Sequence, residues 1–268
     1  MIASVLLEAA TRRSVPRMPF VVDGVHVGSV AQAHLSALAT FARELRISAA
    51  QVEWLIAVPE RDAAFARVHA RLREQGLIRA WRDETYALRD PRTLAPLALI
   101  ERAAARFWGA LTFGAHATGY VADDQGRPTQ LWIARRSPHK ATDPDMLDNL
   151  IGAGVPHDQT PREALLREAW EEAGLSRAQA ELAQEAGVLT LHRDIAEGLQ
   201  HEWIYSFDLA LPAGLVPQNQ DGEVAAFTLV PPGRVKQLLL RNEMTVDAAL
   251  VTLDFLRRHQ LLGDDHVA

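Results

Sequence analysis

One segment of the chain contains residues that are typical of both ends of a helix. Thr160 is a favourable N-cap, Pro161 suits the first helical position, where its missing N–H costs nothing, and Glu163 completes a Thr-x-x-Glu capping box. Gly174 supplies the left-handed residue that commonly ends a helix. The spacing therefore predicts a helix over residues 161–173, which fixes where its polar side chains point.

Three glutamates form one acidic face of this predicted helix. At 100° per residue, Glu168, Glu171 and Glu172 lie within about a third of the helix circumference. Like charges three or four residues apart destabilise a helix by about 0.2–0.5 kcal/mol per pair, and Arg167 can neutralise only part of this charge. Mg²⁺ would relieve the repulsion, because it binds carboxylates together with water and phosphate oxygens. A solvated acidic face without a ligand is the alternative interpretation.

The segment that ends at Leu175 resembles the Nudix box, which reads Gly, five residues, Glu, seven residues and then Arg-Glu-U-x-Glu-Glu-x-Gly-U, where U is aliphatic. Residues 167–175 match the second half when Ala169 is accepted as U. In the first half, Ala153 and Gln159 stand at the box glycine and glutamate positions, although Gly152 and Gly154 flank Ala153. The patterns of the first part predict an α+β N-terminal domain, and the resemblance implies that a Nudix α/β/α sandwich with a mixed sheet follows it.

The same resemblance implies roles for individual residues. The ligands expected for Mg²⁺ or Mn²⁺ are the Gly152 carbonyl, Glu168, Glu171, Glu172 and Glu223, with Asp221 as an alternative in the same loop. Arg167 is expected to orient the glutamates, and Glu171 or Glu172 to take a proton from the attacking water. Divalent cations neutralise phosphate charge and activate water, so the implied reaction is hydrolysis of an organic diphosphate.

Residues outside the box are candidates for binding the substrate. Arg135, Arg136 and Lys140 form a basic cluster suited to the far phosphate of a diphosphate. His116 and Trp203 are candidates for lining a pocket around a ring, although each of these residue types is also common in a protein core.

A narrower resemblance covers nearly the whole chain. The segments 100–104, 114–121 and 131–137, followed by Lys140 and the box, are similar to Nudix proteins related to thiamine pyrophosphokinase, which carry an additional N-terminal α+β domain. This implies cleavage of thiamine diphosphate or its oxidised analogues to a monophosphate and phosphate. ADP-ribose or another nucleoside diphosphate derivative is the alternative substrate. A third interpretation, supported by Gln159, is a catalytically weakened module that senses a ligand.

Composition and charge narrow the choice of partners. The chain has no cysteine, which excludes disulfides, thiolate metal sites and a cysteine nucleophile, and therefore disfavours an isomerase that needs a thiol. The net charge is -6, divided into +4 over residues 1–113 and -10 over residues 114–268, which we take as the two domains. We expect a cytoplasmic protein whose partner is a small organic diphosphate, with a homodimer as a further candidate and neither nucleic acid nor membrane as a ligand.

Three further patterns predict local structure in the first domain. Asp23 and Gly24 predict a tight hairpin turn. Apolar spacing predicts helices from Val30 to Leu45 and from Leu97 to Trp108, and a third helix between Pro59 and Gly76.

Overall fold

The computed structural model describes residues 2–263, and the first part of the chain folds around a small sheet and a hairpin. Its elements in chain order are α1 (Ile2–Thr11), β1 (Arg17–Val22), β2 (Val25–Ala31), α2 (Leu35–Leu38), β3 (Leu45–Ile47), β4 (Val52–Trp54), α3 (Arg61–Glu74), β5 (Thr85–Arg89), β6 (Pro96–Glu101) and α4 (Arg102–Trp108). The sheet has the order β2-β1-β4-β3, and β5 pairs with β6. Asp23 and Gly24 have positive φ values of 50° and 74°, which confirms the predicted hairpin turn.

Aromatic stacking fixes α3 and α4 against this sheet. Trp54 stacks on Phe65 of α3 with ring centroids 3.7 Å apart, and Phe20 stacks on Trp108 of α4 at 4.2 Å. The Trp108 indole N–H donates a 2.9 Å hydrogen bond to Nε2 of the buried His69. Full burial of a large apolar side chain stabilises a fold by about 1.5–3 kcal/mol, so these contacts hold α4 in one position.

Two predictions for the first part are wrong. Residues 30–45 do not form one helix: β2 continues to Ala31, and α2 lies between two short 3-10 turns. The predicted helix from Leu97 begins only at Arg102, because residues 96–101 pair with β5 as a strand. Glu101 is the N-cap, since its side chain accepts a hydrogen bond from the Ala103 N–H. The helix between Pro59 and Gly76 is confirmed as α3.

The second part of the chain is a mixed sheet with helices on both faces, as the resemblance implies. Its elements are β7 (Leu111–Ala122), β8 (Pro128–Arg136), β9 (Leu147–Asp148), β10 (Ile151–Gly154), α5 (Pro161–Ala173), α6 (Arg177–Ala180), β11 (Gln184–Ile195), β12 (Gly198–Ala210), β13 (Val224–Val230), α7 (Pro232–Leu240) and α8 (Val246–Arg258). The sheet order is β11-β12-β7-β8-β13, with β10 paired to β7 and β9 to β8. The β7–β12 pair is parallel and the other pairs are antiparallel.

Helix α1 packs with the second part, although it opens the chain. Leu6 is buried in a cluster with Phe255 of α8, and Ala10 is buried in a cluster with Leu191 of β11. The first helix therefore packs on the large sheet on the same side as α8, and it connects the two parts of the chain. Within residues 2–263, no helix combines the length and the apolar character needed to cross a membrane.

Candidate active site

Helix α5 has the ends that its sequence predicts. The Thr160 hydroxyl accepts a hydrogen bond from the Glu163 N–H, and the Glu163 carboxylate accepts one from the Thr160 N–H at 2.8 Å. Gly174 ends the helix with a φ of 64°. Ala164, Leu165 and Ala169 are buried in a core cluster with residues of β7 and β10. This packing holds the acidic face of the helix beside β10.

Four glutamates converge there, and we call Glu168, Glu171, Glu172 and Glu223 the acidic cluster. Glu172 is buried, and its Oε2 accepts a 2.9 Å hydrogen bond from the Gly152 backbone N–H. Its Oε1 lies 3.9 Å from Nζ of Lys140, which also forms an ion pair with Glu223. The buried end of Lys140 therefore lies between carboxylates from α5 and from the loop before β13.

Arg167 links the exposed side of the cluster. Its Nη1 lies 2.7 Å from a Glu168 oxygen and 2.8 Å from a Glu171 oxygen, so one guanidinium bridges two carboxylates. Its Nε donates to Oε1 of Gln159 at 3.4 Å. Gln159 therefore still supplies an oxygen to Arg167, although it replaces the glutamate of the box pattern.

The acidic cluster carries excess negative charge. When all four glutamates are ionised, they exceed the two cations Lys140 and Arg167 by two charges. Burial, followed by repulsion from Glu168, raises the pKa of Glu172 to about 8, although Lys140 and the Gly152 N–H oppose this shift. Burial also raises the pKa of Glu168 and lowers that of Lys140. The cluster would therefore gain stability from an added cation.

The donor chemistry of the acidic cluster fits a hard divalent cation. Carboxylate oxygens are the ligands that Mg²⁺ and Mn²⁺ favour, and a divalent ion would balance the excess charge. Within the part of the chain that the structure describes, no group of three or more His, Asp or Glu side chains is arranged so that it could hold a metal ion. Lys140 and Arg167 form ion pairs with these carboxylates.

A cavity of about 370 Å³ adjoins the acidic cluster and lies between the two parts of the chain. Helix α4 contributes Arg102 and Arg106 to its wall. The second part contributes a mixture of charged and polar residues that includes His116, Arg136, Asp148, Gly152, Arg193 and Asp247. Gly152 both lines this cavity and contacts Glu172, so the cavity and the cluster share one wall.

His116 is held in one tautomer by its neighbours. The Asn149 Nδ2 donates to Thr252 Oγ1 at 2.9 Å and to the Ala248 carbonyl at 3.5 Å, and a carbonyl can only accept. The Asn149 Oδ1 therefore faces His116 and accepts from Nδ1 at 3.0 Å. His116 thus lines the cavity while its Nδ1 is engaged by Asn149.

The other sequence candidates have different surroundings. Arg136 lines the cavity, but its Nη1 is bound to Asp148 at 2.7 Å. Arg135 is exposed and donates to the Asp145 carbonyl, away from the cavity wall. Trp203 follows Glu202 on β12, so strand alternation places it on the opposite face of the sheet, where its ring lies 5.9 Å from that of Phe113.

Sequence reasoning missed several charged residues of the cavity. Arg102 and Arg106 lie four residues apart on α4, a spacing that puts them on one side of a helix. Arg193 on β11 and Asp247 on α8 come from elements far away in the sequence. The i, i+4 spacing was the only local signal, and it does not say what the two arginines face.

Comparison with known proteins places these features in a family. Residues 112–251 match a family model described as the NUDIX domain, and residues 4–112 match one described as a domain of unknown function, DUF4743. The chain is 38% identical over 202 residues to a protein named Nudix hydrolase 20, chloroplastic, from Arabidopsis thaliana, which covers 75% of this chain and 53% of that protein. It is 36% identical over 204 residues to Nudix hydrolase 24, chloroplastic, from the same plant, covering 76% and 55%.

The chain spans about half the length of these curated relatives. Its fold is similar to that of DR0079 from Deinococcus radiodurans, with a TM-score of 0.50 and 23% identity over 64% of this chain and 99% of that one. The NUDIX model covers more than half of the chain, including helix α5 and the strand beside it. The chain therefore belongs to the Nudix family.

Proposed function

We propose that this protein is a divalent-metal-dependent hydrolase that cleaves the phosphoanhydride bond of a small organic diphosphate. The observation that carries the proposal is the acidic cluster, in which the buried Glu172 is held by Gly152 at the wall of a cavity rich in arginine. A cluster with excess negative charge next to a cavity with guanidinium groups suits a cation and a phosphate side by side.

The residues proposed to hold Mg²⁺ or Mn²⁺ are Glu168, Glu171, Glu172, Glu223 and the Gly152 backbone. When bound, the metal would neutralise charge on the diphosphate oxygens and lower the pKa of a water molecule. Arg167 is a positioning residue, because it holds Glu168 and Glu171 through the same guanidinium. Lys140 holds the opposite side through Glu172 and Glu223.

Two of the glutamates are candidates for the base that accepts a proton from the attacking water. The side chain of Glu171 is 40% exposed, whereas that of Glu172 is 7% exposed and already accepts the Gly152 N–H. Access to water favours Glu171 for proton transfer and Glu172 for holding the cation.

We propose thiamine diphosphate or one of its oxidised analogues as the substrate. The support is the resemblance of the chain to the thiamine-related Nudix branch, together with the mixture of charges in the cavity. Thiamine diphosphate combines a cationic ring with an anionic diphosphate. The Asp247 and Glu202 carboxylates suit the ring, and the guanidinium groups suit the phosphates. We propose His116 and Arg136 as further substrate contacts, since both line the cavity.

A substrate screen tests this function. Purified protein is incubated with thiamine diphosphate, its oxidised analogues and ADP-ribose, with Mg²⁺ or with EDTA, and inorganic phosphate and monophosphate products are measured separately. We expect Mg²⁺-dependent phosphate release from the thiamine compounds. Nucleoside monophosphate from ADP-ribose would instead support the alternative substrate. Ligand-induced stabilisation without turnover by any compound would contradict hydrolysis and support a sensing module.

A further inference from the structure

The cavity wall contributed by the first part of the chain is closely packed. Helix α4 is buried through Phe107 and Trp108, and Gly109 ends it in a left-handed conformation. At the start of β12, Gly198 has a φ of 142°, and a side chain there would collide with the Arg106 carbonyl. The turn between β11 and β12 therefore packs directly on the backbone of α4, and this contact fixes the position of the Arg106 backbone.

The guanidinium groups in the cavity differ in what they already bind. Arg102 donates to Glu84 at 2.8 Å, and Arg136 donates to Asp148 at 2.7 Å. Arg193 donates to the neutral amide of Gln200 at 3.0 Å. Among residues 2–263, none is joined to the Arg106 guanidinium by a side-chain hydrogen bond or an ion pair. Within the described residues, Arg106 therefore keeps all of its guanidinium donors free, whereas Arg102, Arg136 and Arg193 each use at least one.

The positive charge of Arg106 influences the pKa of Asp247 in the cavity wall. Although burial alone would raise the pKa of Asp247, electrostatic interactions with His116, Arg193 and Arg106 and a backbone hydrogen bond lower it. His116 and Asp247 line the same cavity as Arg106. Arg106 itself is half-buried and lines this cavity between the two parts of the chain.

The cavity and the acidic cluster meet at Gly152, which lines the cavity and donates to Glu172, although none of the four glutamates lines the cavity itself. A diphosphate held beside the acidic cluster would therefore have the cavity as its neighbouring space. A guanidinium is suited to such a ligand, because its planar fork can donate two parallel hydrogen bonds to phosphate oxygens.

We infer that Arg106 binds a phosphate oxygen of the substrate, so that the N-terminal domain supplies part of the active-site pocket. This inference rests on the proposed function for its substrate class, a diphosphate ester. It gives the N-terminal domain a direct role in substrate binding. Arg102 lies in the same wall, but its guanidinium already donates a hydrogen bond to Glu84, so we assign it a structural role.

The test measures binding of inorganic pyrophosphate by calorimetry to the full chain in EDTA, where neither metal nor turnover contributes. We expect Arg106→Gln to weaken pyrophosphate binding roughly tenfold, the loss typical of one charge-assisted hydrogen bond. Arg106→Lys should show an intermediate loss, because lysine keeps the charge without the fork. Arg67→Gln is the matched control: it changes an exposed arginine on a helix of the same domain and should bind like the wild type.

Equal binding by Arg106→Gln and wild type, with similar thermal unfolding midpoints, would overturn the inference. Absence of pyrophosphate binding by the wild type would also overturn it. If Arg106→Gln folds poorly, Arg106→Lys decides the question through its own loss of binding relative to Arg67→Gln. Failure of the proposed function would look different: the wild type would hydrolyse no organic diphosphate, while the pattern of pyrophosphate binding among the variants would persist.

Discussion

The Gly152 backbone N–H donates a 2.9 Å hydrogen bond to Oε2 of Glu172, and this contact joins the wall of the cavity to the acidic helix α5. It satisfies a buried carboxylate with a backbone donor whose position is set by the pairing of β10 with β7. The location of Glu172 is therefore determined by the sheet as well as by its own helix. Substitutions at this point should separate effects on chemistry from effects on folding.

Glu172→Gln is expected to lower Mg²⁺-dependent turnover by roughly 10²–10⁴-fold, the range for loss of an acid–base or charge-stabilising group. Stability should be kept or increased, because glutamine still accepts the Gly152 N–H and no longer repels Glu168. Product release assays and thermal unfolding would measure both effects. Glu74→Gln, an exposed change on α3, is the control. Unchanged turnover in Glu172→Gln would contradict the proposed metal site.

Arg167→Ala should raise the Mg²⁺ concentration needed for activity by about 10- to 100-fold, as expected when a residue that orients metal ligands is lost. The reason is that Glu168 and Glu171 lose the guanidinium that holds both of them. Arg177→Ala is a matched control, because Arg177 and Glu181 form an i, i+4 pair at the same 2.8 Å distance on an exposed helix. Mg²⁺ titrations that shift equally in the two variants would refute a positioning role for Arg167.

Gly198→Ala should destabilise the protein by about 1–3 kcal/mol, because it places a side chain in a strained backbone region. The added Cβ would also collide with the Arg106 carbonyl and push α4 away from the hairpin. Chemical denaturation would measure the loss, and an increase in KM should accompany it if α4 forms part of the pocket. Gly214→Ala is the control, since nothing lies within 4 Å of a Cβ at that position. A normal denaturation midpoint for Gly198→Ala would argue against close packing of the hairpin on α4.

Local sequence signals were sufficient for the helix that carries the acidic cluster. Thr160, Glu163 and Gly174 mark its ends by interactions within a few residues, and the structure has the helix over the predicted residues. The convergence of Glu168, Glu171 and Glu172 follows from helical geometry alone. The role of Lys140 was less accessible, because its contacts with Glu172 and Glu223 join segments far apart in the chain.

The cavity wall formed by α4 could not be predicted from the sequence, because it depends on tertiary packing. The segment from Leu97 to Trp108 is compatible with either a strand or a helix, and pairing with β5 decides that Arg102 is the first helical residue. Whether Arg106 faces solvent or the cavity depends on how α4 packs on the second part of the chain. Trp203 illustrates the same limit, since its distance from the cavity depends on which face of β12 the cavity adjoins.

The buried His69, which accepts a hydrogen bond from Trp108, should make stability sensitive to acid. Burial lowers the pKa of His69 from its ordinary value of 6.5 to about 3 in the folded protein. Between these values the unfolded chain binds a proton that the folded chain does not. The free energy of unfolding should therefore fall by up to about 1.4 kcal/mol per pH unit as the pH drops from about 6.5 to about 3.

His69→Gln tests this pH dependence, because glutamine can still accept the indole N–H of Trp108 but does not titrate. Denaturant unfolding at several pH values gives the difference in free energy of unfolding between wild type and variant. That difference should favour the wild type most at pH 7 and shrink or reverse as the pH falls below 6.5. Other titrating groups, including His201 with its pKa lowered to about 4 by burial, are present in both proteins and cancel. A difference that stays constant from pH 7 to pH 4 would show that His69 is not the source of the acid sensitivity.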